Sequence, residues 1–380
     1  MKPTLYIHIG RPKTGSSALQ TFLYQNRTTL ADRGICYPEV GRYQRASHKL
    51  SLLYLPRLPD STVVKGITAE SMYAELAREI LDSGAASAVI SSEHFWLINP
   101  KQLPALLQEQ FDVRIVAYLR RQDDVLISSF IQEVKSGSLS IDVDLDAYTQ
   151  DSRRLNLLDY EQVLQRWAAA FSQDNIIVRL YEDLAEEHGI ECDFLSIIGQ
   201  AEETGFKFSD VRRNVSPPLE VLRLVDELEG LDLDKISKRR LIALFSKASH
   251  VLDSREGTSA SALLSTAQRR QILLKFEPSN VQLGQAFLSQ PGSPFPGLVE
   301  VDEVQAANSK VGTLDVEQRS RLLTATVAEQ QRQLGIIKNR LARAEEALGV
   351  DGGSRRREQQ THLSNSWLAR LKRLLGIGPN

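Results

Sequence analysis

An α/β fold with a central parallel sheet, extended by a C-terminal helical tail, is predicted by three observations. Short apolar runs rich in β-branched residues alternate with helical-period segments over roughly the first 300 residues, the pattern of strands joined by crossover helices. The earliest of these runs, TLYIHIG, passes directly through a glycine-containing turn into a helix. From residue 316 onward the strand-like runs stop, and Gln, Glu, Arg, Ala and Leu recur at helical spacing.

The stretch 4–26 organises the rest. TLYIHIG suits a buried strand. RPKTGSS follows, a tight loop punctuated by Gly10, Pro12 and Gly15. Ala18, Leu19, Phe22 and Leu23 then recur at helical spacing, so a helix begins near Ser16 or Ser17. A strand, a glycine turn and a helix N-terminus form an anion cradle, because the first helical N–H groups lack intrahelical partners and the helix dipole is positive there. Lys13 adds a full charge, and Thr14, Ser16 and Ser17 add hydroxyls. The ATP-loop pattern GxxxxGK[ST] is nearly met: Gly10 and Gly15 have its spacing, but Ser16 stands where its lysine belongs. An ordinary strand–loop–helix with a solvated lysine is the alternative at this point.

Composition narrows the classes. The 380 residues are 42% hydrophobic and 25% charged, with a net charge of −2, which gives no general attraction to nucleic acid. Two cysteines, Cys36 and Cys192, lie far apart without metal-ligand spacing, so unbridged thiols in a reducing compartment are expected. No signal-peptide pattern opens the chain, and no apolar run approaches the ~20 residues of a membrane span. The expectation is a cytoplasmic protein.

In order along the chain, ICY reads as a short strand among the turns at Gly34, Pro38 and Gly41, and His48 opens a helix to about Leu55. Residues 68–82 are helical by Met72, Leu76, Ile80 and Leu81. A strand at 88–91 ends in the polar cluster SSEH, which places Glu93 and His94 at a carboxyl end, where parallel sheets hold ligands. Glu93 can serve as a proton acceptor or simply cap the next helix. The strand 113–119 ends in LRRQDDVLISSF, with a helix starting at Asp123 or Asp124. Arg120 then stands at a strand end with Ser128 one and a half turns into the helix, and the two can converge on one phosphate. Arg121 and Ser129 share the same eight-residue spacing. The segment 137–153 reads as a long loop, 158–171 as an amphipathic helix, and 176–180 as a strand ending at Tyr181, an aromatic face able to stack on a base. Arg212 and Arg213 precede a proline-marked helix start, 219–250 reads as helix, and QPGSPFPG ends the main unit near residue 300.

The PKTGSS loop resembles that of the sulfotransferases that use PAPS (3′-phosphoadenosine 5′-phosphosulfate), and the later segments extend the likeness. The resemblance implies a P-loop-like three-layer fold. Arg11 to Ser17 would wrap the 5′-phosphosulfate, with Lys13 neutralising charge during transfer. The arginine-then-serine spacing is similar to that family's 3′-phosphate motif; Arg120 and Ser128 are preferred because Asp124 then falls in place. YEDL is similar to a segment that sets a tyrosine, here Tyr181, near adenine, and RRN looks like a late basic segment, which brings in Arg212 and Arg213. SSE looks like the bacterial members, making Glu93 the preferred base, with His48 and His94 as the other candidates and Glu39 a weaker acceptor-side one. The implied reaction moves a sulfuryl group from PAPS to a hydroxyl or amine of a carbohydrate or glycolipid, leaving PAP and requiring no metal. A nucleotide kinase or NTPase, and a non-catalytic tether, are the competing readings.

In the tail, Leu322, Leu323, Val327, Leu334, Ile337, Leu341 and Leu348 form a seam that either pairs with a second helix, including that of another copy, or folds back on the main unit. DGGSRRREQQ reads as a basic linker. SWLARLKRLLGIG reads as a short basic amphipathic helix suited to a membrane surface or a partner groove.

Overall fold

A computed structural model of the chain describes residues 2–184, 189–200, 204–208, 218–227, 235–249, 263–295 and 314–348. Its strands are β1 (Thr4–His8), β2 (Ile35–Cys36), β3 (Ser87–Ser91), β4 (Asp112–Leu119) and β5 (Ile176–Leu180). The helices of the N-terminal half are α1 (Ser16–Gln25), α2 (Arg27–Asp32), α3 (His48–Leu52), α4 (Ala69–Asp82), α5 (Leu106–Gln110) and α6 (Gln122–Lys135). Then come α7 (Leu145–Gln150), α8 (Ser152–Asn156), α9 (Tyr160–Phe171), α10 (Gly189–Ile197), α11 (Leu219–Glu227), α12 (Lys235–Ala248), α13 (Thr266–Phe287) and α14 (Val316–Leu348). The chain divides into two compact units, 1–129 with 144–214 and 266–303, and 130–143 with 215–265 and 304–380.

The first unit holds the whole sheet. Its order is β2-β3-β1-β4-β5, and every pairing is parallel. β1 is central because both its faces are apolar: Leu5 and Ile7 are fully buried on one side, Tyr6 and His8 point to the other. On the Tyr6 face, Leu19, Phe22 and Leu23 of α1 and Phe194 and Leu195 of α10 cover Val89, Val116 and Tyr118. α9 lies against β4 and β5, and α13 against β5 and α9, on the opposite face, where Trp167 stacks on Phe171 and meets Phe95 edge-on. The three-layer α/β architecture with a parallel sheet follows. Neither Cys36 nor Cys192 is in a disulfide.

Some boundaries differ from the sequence reading. The expected loop 137–153 contains α7 and α8, whose starts are capped by Asp144, accepting from the N–H groups of Asp146 and Ala147, and by Asp151, accepting from Arg153. Two of the aspartates that suggested a loop, Asp144 and Asp151, are N-caps. The helix expected over 219–250 appears as α11 and α12, with 228–234 outside the described residues. α13 begins at Thr266 and runs through Pro278.

In the second unit, Val221 and Leu224 of α11, Leu241, Ile242 and Phe245 of α12 and Leu322 and Leu323 of α14 form one apolar core. The first part of the tail seam is thus used inside its own unit, whereas Ile337 is 59% exposed. The basic linker and terminal amphipathic helix proposed for 351–380 lie outside the described residues. Among the described residues, no helix is long and apolar enough to cross a membrane.

His8 is fully buried between Tyr118 and Phe194, and its Nδ1 shares a 2.8 Å hydrogen bond with Ser91. Burial pushes its pKa down to about 4, against the upward pull of Glu93. The unfolded chain therefore binds this proton from about pH 6.5 downward, while the folded chain does not until about pH 4. His8 leaves stability intact above pH 6.5 and removes on the order of 3 kcal/mol as pH falls toward 4. Urea unfolding at pH 7.5 and pH 4.5 checks this: His8→Leu should lose much less stability between the two than the wild type, and equal losses would refute the assignment.

Candidate functional site

The carboxyl ends of β1, β3, β4 and β5 lie side by side, because β3 and β4 flank β1 and β5 flanks β4. Four short connections therefore meet: residues 9–15, Ser92–Glu93, Arg120 and Tyr181.

The loop after β1 is built on left-handed backbone. Gly10, Lys13 and Gly15 have φ of 48°, 76° and 82°. For Lys13 this conformation costs roughly 1–3 kcal/mol, which the surrounding loop must sustain. The Arg11 carbonyl anchors the turn. It accepts the Thr14 N–H at 3.3 Å, the Thr14 hydroxyl at 2.6 Å and the Ser16 hydroxyl at 3.5 Å. Two of the three hydroxyls expected to face an anion are thus engaged within the loop, and Thr14 is fully buried. Ser17 is exposed at the start of α1, whose N-cap, Gly15, has no side chain to serve the first turn. Backbone donors and the helix dipole face outward there. Arg11 is not an exposed ligand arm. It is 6% exposed with Nε buried and lacking a hydrogen-bond partner; burial lowers its pKa, countered by a hydrogen bond with Tyr160. The Tyr160 hydroxyl in turn donates to the Arg120 carbonyl at 2.6 Å.

On one side of this loop, Arg120 Nη1 lies 3.5 Å from both the Lys13 carbonyl and the Ser128 hydroxyl, and its guanidinium sits 5.4 Å from the centre of the Tyr181 ring. Arg121 is turned away. It chelates Asp123 at 2.7 and 2.9 Å, and its N–H donates to Glu182 at 2.6 Å. The geometry thus pairs Arg120, not Arg121, with the helical serine. Tyr181 also borders Gly15, where a Cβ would meet its Cε2 at 3.1 Å and Ile190 at 3.0 Å.

On the other side stands Glu93. A Cβ on Gly10 would strike the Ser16 hydroxyl at 2.9 Å and the Glu93 Cα at 3.1 Å, so loop and carboxylate turn are packed together. Glu93 Oε2 accepts from the Gln20 amide at 2.7 Å and lies 3.9 Å from His48 Nδ1. That nitrogen shares a 2.9 Å hydrogen bond with Ser92, which also pairs with Ser51 at 2.8 Å. The His48 and His94 rings are 4.8 Å apart. Burial pushes the Glu93 carboxyl up, but His48, Gln20, its own backbone and His94 outweigh it, leaving it below the usual range. Burial also lowers His48, against the pull of Glu93. A carboxylate and a neutral imidazole side by side can both take a proton.

Lys13, Thr14, Gly15, Ser16, Ser17, Glu93, His48, His94, Arg120, Ser128 and Tyr181 are thus gathered at one sheet end. Glu39 is not among them: its side chain is 86% exposed beside Arg42, and its N–H is held by Glu79. Arg212 and Arg213 lie outside the described residues. Gln20, Ser51, Ser92 and Tyr160 were not singled out by sequence. For Gln20 the signal was available, a polar residue on the buried face of an amphipathic helix. Among the described residues no cluster of three or more His, Cys, Asp or Glu could hold a metal ion.

No protein-family model matches the chain. An uncharacterized protein of Archaeoglobus fulgidus is 28% identical over 203 residues, 51% of this chain and 52% of its own length; the chain spans about half the length of that curated relative. Three solved structures resemble the fold. A sulfotransferase from Alicyclobacillus acidocaldarius is 16% identical, with 64% of this chain and 96% of that one covered, at a TM-score of 0.39. The sulfotransferase domain of the Synechococcus PCC 7002 olefin synthase is 13% identical, with 63% and 94% covered, at 0.30. Retinol dehydratase in complex with androsterone and inactive cofactor PAP is 15% identical, with 53% and 62% covered, at 0.28.

Gly15→Ala tests the loop. A methyl group at φ 82° would crowd Tyr181 and Ile190, so the variant should lose about 1–2 kcal/mol of stability. Denaturant titration reads the loss; an unchanged midpoint would show that this close approach is not required.

Proposed function

We propose that this site transfers a sulfuryl group from PAPS to a hydroxyl or amine, with a carbohydrate or glycolipid as the acceptor. One observation carries the reading: Arg120 and Ser128 converge beside the Lys13 loop, 3.5 Å apart and against the Tyr181 ring. A bare anion cradle serves any nucleotide phosphate. A second cationic corner beside it suits a nucleotide with a second, separate phosphate, as on the ribose 3′ position.

The residues fit such a donor. Gly15 keeps the floor between loop and Tyr181 free of a side chain, and the N–H groups at the start of α1 supply neutral donors along the dipole. When bound, PAPS supplies an activated sulfuryl group on a phosphate leaving group. Lys13 and the backbone of residues 13–17 hold that phosphate and offset the charge growing on it, the main demand of such a transfer. Arg120 and Ser128 hold the 3′-phosphate, and the Tyr181 face lies against the adenine. Glu93 accepts the acceptor's proton, or His48 does so with Glu93 beside it; His94 borders both. Arg212 and Arg213, outside the described residues, are assigned to the 3′-phosphate by the resemblance of their segment alone. The carbohydrate or glycolipid acceptor rests on the likeness of the motifs, SSE among them, to bacterial members, together with the basic amphipathic sequence of the tail. A cytoplasmic location accords with the two widely separated cysteines, and the basic amphipathic sequence SWLARLKRLLGIG would suit the inner membrane face.

Calorimetry with PAP, and separately with ATP and magnesium, tests the reading. PAP should bind without metal and more tightly than magnesium–ATP, and Arg120→Ala should weaken PAP at least tenfold more than AMP. Preference for magnesium–ATP would turn the assignment to a kinase or NTPase. Binding of neither would favour a tether.

The pKa directions set a pH profile. A group that must be deprotonated loses activity as pH falls through its own pKa, and both Glu93 and His48 titrate below their ordinary values. The acid limb of kcat/KM should therefore be centred below pH 6.5. An acid limb centred at or above 6.5 excludes both groups. Glu93→Gln separates them: if His48 is the base, removing Glu93 lowers its pKa further and moves the limb to more acid pH. If Glu93 is the base, activity is lost at every pH.

A further inference from the structure

Arg120 does not stand alone. Its Nη2 lies 3.9 Å from Asp124 Oδ2, which is also 3.9 Å from Arg121 Nη2. The other oxygen of Asp124 accepts from Arg269 Nη1 at 3.0 Å. The same guanidinium nitrogen donates to Asp123, whose side chain is fully buried and chelated from its other side by Arg121. Arg269 reaches this cluster from α13, far along the chain, and is only 8% exposed. Three guanidinium groups and two carboxylates thus share the first turn of α6.

The distances divide the carboxylates unequally. Asp124 makes its close contact with Arg269 and only a long one with Arg120. Arg120 is left with its Nη1 on Ser128 and the loop carbonyl. Without the Arg269 charge, Asp124 would have Arg120 and Arg121 as its nearest strong donors, both at 3.9 Å; Arg121 is already held by Asp123, so Arg120 would be drawn into an internal ion pair. That carboxylate would also repel any phosphate brought to the corner.

We propose that Arg269 is a positioning residue for the phosphate corner: it holds Asp124 off Arg120 and so leaves Arg120 available to a second phosphate. The proposal rests on the nucleotide reading above. Its chemistry concerns one corner only, so loss of Arg269 acts on ligands carrying a 3′-phosphate and spares those without one.

The test is a double-mutant cycle read by calorimetry on the full chain, with PAP and AMP as ligands. Arg269→Gln should weaken PAP about tenfold or more and AMP little. Adding Asp124→Asn should restore most of the PAP affinity, because the competing carboxylate is gone, and Arg269→Lys should retain more of it than Arg269→Gln. Equal losses for PAP and AMP, or no recovery of PAP affinity in the double variant, would overturn the proposal, since a merely structural arginine would affect both ligands alike. The wild type is the separate control on the nucleotide reading. If the unaltered chain fails to prefer PAP over AMP, that reading fails; if it prefers PAP and the cycle shows no coupling, only the role of Arg269 falls. Circular dichroism and the urea midpoint confirm that each variant is folded. Should Arg269→Gln not fold, the Arg269→Lys variant with and without Asp124→Asn carries the same comparison.

Discussion

The central position of β1 is the constraint on which the rest depends. A strand hydrogen-bonded on both edges, and apolar on both faces, cannot shift its register without exposing Leu5 and Ile7. Its carboxyl end is therefore fixed to a fraction of a side chain, and whatever follows must leave the sheet within a few residues. Left-handed backbone at Gly10, Lys13 and Gly15 achieves that turn. Because β3 and β4 are held alongside, Glu93 and Arg120 arrive on either side of the same loop. The site is thus assembled by strand order, from residues separated by more than a hundred positions.

The two sides differ in electrostatic design. Around Glu93 the partners are neutral or weakly basic: an amide, hydroxyls and two imidazoles. Such surroundings leave a carboxylate ionised without neutralising it, a state suited to taking a proton. Around Arg120 the partners are full charges in near balance. There the design problem is to keep a cation available while carboxylates stand close by. Tyr160 joins the two parts of the floor, bonded with Arg11 of the loop and donating to the carbonyl of Arg120.

Much of this was legible in the sequence because it rested on local signals. The strand–turn–helix of 4–26 is punctuated by glycines, and the Arg120–Ser128 spacing is a helical geometry readable from eight letters. The spacing alone did not separate Arg120 from Arg121, since both have it, and Arg120 was preferred only because Asp124 then falls in place. The packing adds that Asp123, two residues on and buried, captures Arg121. Gln20 carried a signal as a polar residue on the buried face of α1, but its partner Glu93, like the His48 partner of Ser92, is brought by the fold, at sequence separations of 73 and 44. Arg269 was hidden for the same reason, at a separation of 146 from Asp123. Conversely, the aspartates of 137–153 misled, since Asp favours loops and helix N-caps alike, and only the packed chain shows which.

A buried charge cluster is a poor way to gain stability. Removing Asp123 fully from water, together with most of Arg269, costs several kcal/mol per ion before any pairing is recovered, and apolar side chains of similar volume often do as well. Its presence at the start of α6 therefore calls for a reason other than stability. The helix dipole favours Asp123 and Asp124 in the first turn, yet the same two carboxylates would quench a neighbouring guanidinium. A third cation, delivered from α13, resolves that conflict. It lets the acidic first turn of α6 coexist with an arginine that we propose meets an anion.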